Sequence, residues 1–325
     1  MDYGTIAGLT KPVSRLVQGT ATDFNANDPQ AAFALLDMAM AHGINTFDQA
    51  HVYGEARSRL LGQWIKDRGA REQVVILAKG AHHNATRQRV TPEDIRDDLH
   101  DALTWMQTDY VDLFLLHRDD PSVPVGPIVD VLNTLHKDGK VGAFGGSNWT
   151  YERIREANEY ARAHGLIPFA VSSPNFSLAE QVEEPWTNCV SISGPQGEAA
   201  RQWYAQSDVA LMTWSSLAGG FFSNRFHRDN LDTFPESDSF ARLAIRCYGY
   251  EPNFQRLDRA RALAAQKGRT VPQIALAFVL SQPLNIFALG SCADNAMFDA
   301  NTAALAIKFT PQEMAYLDLK ADTPG

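Results

Sequence analysis

Eight short apolar runs, each followed by a longer amphipathic stretch, constrain this chain more than any other feature of its 325 residues. The runs are Val13–Gly19, Asn45–Asp48, Val74–Ala78, Val111–Leu116, Gly142–Ser147, Phe169–Ser172, Ala210–Trp214 and Ile286–Leu289. Most are β-branched or aromatic, and several stay apolar at consecutive positions. That pattern predicts strands buried on both faces of a parallel sheet. Helical patterns lie between them: Pro29–Ala41, Ser58–Lys66, Pro92–Met106, Pro127–Lys137, Tyr151–His164, Glu198–Ser207, Asn253–Gln266 and Pro272–Ser281. Thr91-Pro92-Glu93-Asp94 supplies a cap, a proline at the first helical position and acids in the first turn. Gly139 and Gly268 follow helical stretches, where a left-handed residue ends a helix. Eight strand–helix units in roughly 300 residues meet the requirement of a (β/α)8 TIM barrel. The same reading predicts a long loop at 219–252, after the seventh strand, and two extra C-terminal helices at Asp294–Ala304 and Pro311–Lys320. No linker or shift of composition divides the chain, so residues 1–325 read as one domain. A doubly wound open sheet is the rival architecture, and the first strand lacks the GxGxxG that would follow it there.

Composition excludes several partner classes. Net charge is −9, from 29 basic and 38 acidic side chains, which argues against nucleic acid or an anionic membrane surface. The apolar run Ile274–Leu280 is too short to span a bilayer. Cys189, Cys247 and Cys292 are widely separated, without zinc or disulfide spacing. The N-terminal MDYGTIAGLT lacks a basic segment followed by an apolar one. Together these features predict a cytoplasmic protein in a reducing compartment.

In a barrel, residues at strand C-termini face the active mouth. Here those positions are Gly19-Thr20, Asp48, Lys79, His117, Ser147-Asn148, Ser173, Trp214-Ser215 and Gly290-Ser291. Each has a plainer reading. Asp48 could cap a turn, Tyr53 could be a half-buried core residue, Lys79 could mark a strand's exit to solvent, and His117 could be satisfied by Asp119 and Asp120. Adjacent His82-His83 lacks the spaced partners of a metal motif. Asp119-Asp120 resembles a hydrolytic carboxylate pair only weakly.

Several segments resemble the aldo-keto reductase family, in order and over nearly the whole chain. GINTFDQAHVYGEARSRLLGQWI (43–65) resembles the family signature. ILAKG (76–80) and DLFLLHRDD (112–120) resemble its second and third catalytic segments. GGSNWT (145–150), WSSLAGGFFSNRF (214–226) and ALGSCADN (288–295) resemble its cofactor segments. The resemblance implies catalysis by Asp48, Tyr53, Lys79 and His117, without a metal, on an aldehyde or ketone, sugar-derived or small and aliphatic. Carbonyl oxygen that gains charge on hydride arrival needs a proton and fixed donors. Tyr53 would give the proton, Lys79 would lower its pKa, Asp48 would hold Lys79, and His117 would orient the oxygen. The resemblance further implies nicotinamide contacts from Ser147, Asn148, Ser173 and Trp214. Around the pyrophosphate it implies Ser215, Leu217, Gly219 and Arg225, at the adenosine end Ser291 and Asn295, and as further cofactor contacts Gly19, Thr20, Asp48 and Gly290. Phe24 and Trp149 are expected pocket walls beside Tyr53 and His117, with Trp186 a further candidate.

Two positions depart from the family pattern. Ser173 stands where Gln is usual and is shorter. Residues 288–307 contain no Lys or Arg, where many members hold the 2′-phosphate of NADP. NADP(H) is the family default and NAD(H) the alternative. A cofactor-sensing regulatory subunit on the same fold, or a barrel hydrolase or isomerase using Asp119 or Asp120, are the other functions weighed. The oligomeric state stays open.

Overall fold

The computed structural model describes residues 1–325. Eight parallel strands close on themselves: β3 (Leu16–Gly19), β4 (Thr46–Ala50), β5 (Val75–Gly80), β6 (Val111–Leu116), β7 (Val141–Ser147), β8 (Val171–Ser173), β9 (Ala210–Trp214) and β10 (Ile286–Gly290). Closure is made by β10 against β3, with Ala288 opposite Leu16 and Gly290 opposite Gln18. An antiparallel hairpin, β1 (Tyr3–Gly4) and β2 (Val13–Ser14), precedes the barrel. The fold expected from the alternation is the one observed.

Around the strands run α1 (Pro29–Ala41), α2 (Glu55–Asp67), α3 (Pro92–Met106), α4 (Val125–Lys137), α5 (Tyr151–Ala163) and α6 (Glu198–Gln206). They are followed by α7 (Ser239–Tyr248), α8 (Glu251–Lys267), α9 (Val271–Leu280), α10 (Asn295–Ala304) and α11 (Pro311–Leu317). Local chemistry fixes their ends. The Thr91 hydroxyl accepts from Asp94 N at the start of α3, and Thr270 with Gln273 forms a reciprocal capping box on α9. Gly268 ends α8 at φ 60°, where a side chain would clash with its own backbone.

Period-2 alternation divides the strand side chains between two cores. Val17, Val75, Leu77, Leu113, Leu115, Ala143, Val171, Ala210, Met212 and Phe287 form a small cluster with Ile6 and Val13 of the hairpin region. Their neighbours Leu16, Ile76, Ala78, Phe114, Leu116, Phe144, Leu211 and Ile286 join the 71-residue core shared with the helices. The first set fills the barrel interior; the second faces the helical layer.

Two elements depart from the sequence reading. Val13–Gly19 is two strands, because Ser14 turns aside: its N–H takes Asn45 Oδ1 at 3.0 Å and its hydroxyl bonds Leu16 O at 2.7 Å. The 219–252 segment is an excursion containing a full helix, α7, capped by Asp238 on Ala241 N. Its buried residues Ala241, Ala244, Cys247 and Tyr248 follow helical spacing.

Candidate active site

The interior face of each strand leads to the open end of the barrel. Continuing the parity of Val75 and Leu77 reaches Lys79, that of Leu113 and Leu115 reaches His117, and that of Ala143 reaches Gly145 and Ser147. By the same count, Val171 leads to Ser173, Met212 to Trp214, and Val17 to Gly19. Asp48 is registered with Leu77 and with Gly19, so it faces inward one layer deeper than Lys79. Strand geometry alone therefore gathers these residues from separate strands. Tyr53 arrives differently, at the end of a 3-10 turn (His51–Tyr53) that leaves β4.

Lys79 Nζ lies 2.7 Å from Asp48 Oδ1 and 3.0 Å from Oδ2, with both side chains almost wholly buried. Thr20 braces the deeper partner, its N–H and hydroxyl both donating to Asp48 O, at 3.2 and 2.8 Å. Burial disfavours the Lys79 ammonium, but Asp48 and the Tyr53 hydroxyl outweigh it and hold its pKa above the ordinary value. Burial raises the Asp48 carboxyl too, against the pull of Lys79 and Tyr53; the 2.7 Å contact with a protonated Lys79 is what makes the two an ion pair. The ammonium sits 5.5 Å from the Tyr53 ring centre, and the Tyr53 and His117 rings meet edge-on with centroids 6.1 Å apart.

Burial reverses one expectation. It raises the Tyr53 pKa, and the opposing pull of Lys79 and Arg118 does not cancel it. Lys79 thus restrains a rise and does not produce a net drop. His117 is pushed well below the ordinary histidine range by burial, then by Lys79 and Arg118. It is a neutral imidazole at pH 7, and its Nδ1 is buried without a partner. Asp119 and Asp120 do not satisfy it. Asp119 pairs with Arg153 at 3.2 Å, and burial raises its pKa to about 6, while Asp120 caps Ser122. His82 packs edge-on against His117 at 4.9 Å.

The expected cofactor residues fall into distinct groups. Asn148 has φ 57°, and its Nδ2 lies 3.2 Å from Ser147 Oγ while its Oδ1 accepts from Val190 N. Ser173 contributes its carbonyl, which accepts from both Ser147 Oγ and Asn148 N at 3.1 Å. Trp214 Nε1 and Ser291 Oγ are buried polar atoms without partners. In the turn after β9, Ser215, Ala218, Gly219 and Gly220 have positive φ, while Leu217 between them has φ −100°. Within this turn the N–H groups of Ala218, Gly220 and Phe221 are taken by Ser215 O, Leu217 O and Ala218 O, at 2.8, 3.1 and 3.0 Å. Gly19 passes so close to β10 that a Cβ there would meet Gly290 O at 3.3 Å. Asn295 is the exposed first residue of α10, and Asp294 caps that helix on Met297 N.

Three expected residues lie elsewhere than anticipated. Phe24 and Trp149 have no exposed surface and belong to the helix-facing core, so neither is a wall of the open mouth. Trp149 was drawn inward because Gly146 leaves room for its ring and Arg118 O accepts from its Nε1. Arg225 is engaged at 2.7 Å by Asp238 and lies over Phe226 and Phe234, half-exposed. Trp186 does reach the site, 6.2 Å from Trp214. Sequence reasoning passed over Arg118, next to His117, which the structure buries within electrostatic reach of Tyr53.

Residues 15–322 match the aldo/keto reductase family model. The chain belongs to the aldo/keto reductase family. Curated relatives of this aldo/keto reductase include an uncharacterized oxidoreductase, YrpG, of Bacillus subtilis (strain 168). The two are 26% identical over 297 residues, spanning 87% of this chain and 85% of the relative. A probable voltage-gated potassium channel subunit beta of Oryza sativa subsp. japonica is also 26% identical, over 87% and 84% of the two chains. Among solved structures, the glycerol dehydrogenase AKR11B4 of Gluconobacter oxydans superposes with a TM-score of 0.76 at 20% identity. That match covers 98% of this chain and 94% of the other, a likeness of fold. Family and relatives together support an oxidoreductase. No helix is long and apolar enough to cross a membrane.

Proposed function

We propose that this aldo/keto reductase interconverts a carbonyl and its alcohol with NAD(P)(H), using Tyr53 as general acid–base. The observation that carries the reading is the buried Lys79–Asp48 ion pair acting on the Tyr53 hydroxyl, with neutral His117 at its edge. The residues fit a nicotinamide dinucleotide. Ser147, Asn148 and the free indole N–H of Trp214 would hold the nicotinamide end, the turn after β9 that carries Ser215 and Gly219 would pass the pyrophosphate, and Ser291 with Asn295 would meet the adenosine end. When bound, the cofactor supplies hydride to the carbonyl carbon.

The chain's own groups do the rest. His117, neutral, donates one hydrogen bond to the carbonyl oxygen without adding charge, and so orients it. Tyr53 gives its proton to that oxygen as charge accumulates there. Lys79, kept protonated by Asp48, stabilises the phenolate left behind. In the reverse direction the phenolate removes the alcohol proton. Tyr53→Phe removes only the transferable proton. It should lower kcat by about 100-fold or more while leaving cofactor binding, read by protein fluorescence, intact. Turnover at the parental rate would sink the mechanism.

The absence of any basic side chain in residues 288–307 favours NAD(H) over the family default NADP(H), since a 2′-phosphate there would lack its counter-charge. Catalytic efficiencies with NADH and NADPH test this. A hundredfold preference for NADPH would overturn it.

A further inference from the structure

Arg118 is a charged group at the mouth that the reaction above does not use. It follows His117 directly after β6 and is 5% exposed. The guanidinium makes one hydrogen bond, from Nη1 to His117 O at 2.8 Å. Nε is buried without a partner, and no acidic side chain forms an ion pair with the guanidinium. Glu184 is the carboxylate in its surroundings, and it accepts instead from Cys189 N at 3.2 Å. Burial accordingly pushes the Arg118 pKa down, against weaker support from Cys189, Tyr53 and Glu184. Every other strongly buried cation near the barrel mouth is paired, Lys79 with Asp48 and Arg153 with Asp119. A guanidinium desolvated without a counter-ion is costly unless a ligand supplies one. Adjacency to His117 and the Nη1–His117 O bond put it beside the reacting centre, where its charge bears on Tyr53, His117 and His82.

We propose that Arg118 determines specificity by binding a carboxylate on the carbonyl substrate, with Trp186 and Trp214 flanking an aromatic body. The assignment rests on the reductase reading. A single unpaired guanidinium with a free Nε edge offers the planar two-donor fork that a carboxylate matches, whereas a phosphate dianion calls for more positive charge. Trp186 is 54% exposed and stands 6.2 Å from Trp214, on the same 184–189 segment that carries Glu184 and Cys189 past Arg118. An exposed indole beside a half-buried one makes a flat wall for a ring.

The test compares 3- and 4-carboxybenzaldehyde with their methyl esters, which keep the shape and remove the charge. In the parent protein, kcat/KM for at least one acid should exceed that of its ester tenfold or more. Arg118→Met should bring this ratio to within about threefold of unity. Arg118→Lys, which keeps the charge without the fork, should give an intermediate ratio and decides the matter if the methionine variant does not fold. A parental ratio near one, or acid and ester falling in parallel in the variants, overturns the carboxylate role and leaves the reductase reading standing. No nicotinamide oxidation by the parent with any of the four aldehydes overturns both.

Discussion

Lys79→Met isolates the energetics of the site. The substitution keeps the length and apolar stem of the side chain and removes the ammonium 2.7 Å from Asp48 Oδ1. At an effective dielectric of about 20, the attraction lost is about 6 kcal/mol. The stranded Asp48, 1% exposed, escapes part of this by taking up a proton. The net loss should then be about 3–5 kcal/mol, the range for halving a buried pair. With roughly 2.1 cal/mol/K per residue, the unfolding entropy of 325 residues is about 0.7 kcal/mol/K. The melting temperature should fall by about 4–7 °C, read by calorimetry. The sign with pH follows from Asp48. In the variant its folded pKa lies above the unfolded one, so its contribution is favourable at low pH and is lost as pH rises through the folded pKa. The deficit should therefore be larger at pH 8 than at pH 5. Adding Asp48→Asn removes the stranded charge and should recover about 2 kcal/mol or more. A single variant less than about 1 kcal/mol below the parent, or a double variant as unstable as the single, would refute the buried ion pair as the organising interaction.

Two further expectations concern proton inventory and packing. Because burial raises the Tyr53 pKa above its ordinary 10.0, kcat/KM for reduction should hold through neutral pH and fall only above pH 10, while alcohol oxidation should rise across that range. A reduction profile that breaks near pH 7 would contradict the assignment. Gly145→Ala drives a Cβ into Val171 O, where β7 meets β8, so the two strands must part beneath Ser147 and Ser173. It should destabilise by about 3 kcal/mol or more and weaken nicotinamide binding. A parental melting curve and cofactor affinity would show the strands have more room than drawn.

Most of the framework was legible because it depends on periodicities of 2 and 3.6, which a sequence displays directly. Lys79 and His117 could be placed by counting from Val75 and Leu113, and Asp48 by its position on the neighbouring strand. Side-chain destinations were harder. Trp149 lies one residue beyond Asn148, and nothing in GGSNWT says that Gly146 leaves a slot to draw the indole inward. The sequence leaves Arg225 free for phosphate, because its partner Asp238 lies across an excursion that reads as a loop, although Ala241, Ala244 and Tyr248 keep helical spacing. The pKa of Tyr53 depends on the balance between one ammonium and the loss of water, and only the second grows with burial. Arg118 was hidden for a similar reason. In HRDD it sits beside two acids, yet Asp119 turns to Arg153 and Asp120 to Ser122, leaving the cation alone.

The ring of strands is joined by partners 272 residues apart, Leu16 and Ala288. At about 5–20 residues per second, a growing chain makes the first of these about 15 to 55 s before the second. Throughout that interval Leu16–Gly19 exposes an unpaired edge, and once residues 210–214 are made β9 exposes another. Premature termination before Ile286–Gly290 leaves both edges permanently open. The hazard to the cell is therefore concentrated in incomplete copies, which carry nearly the whole apolar core and lack the one strand that seals it.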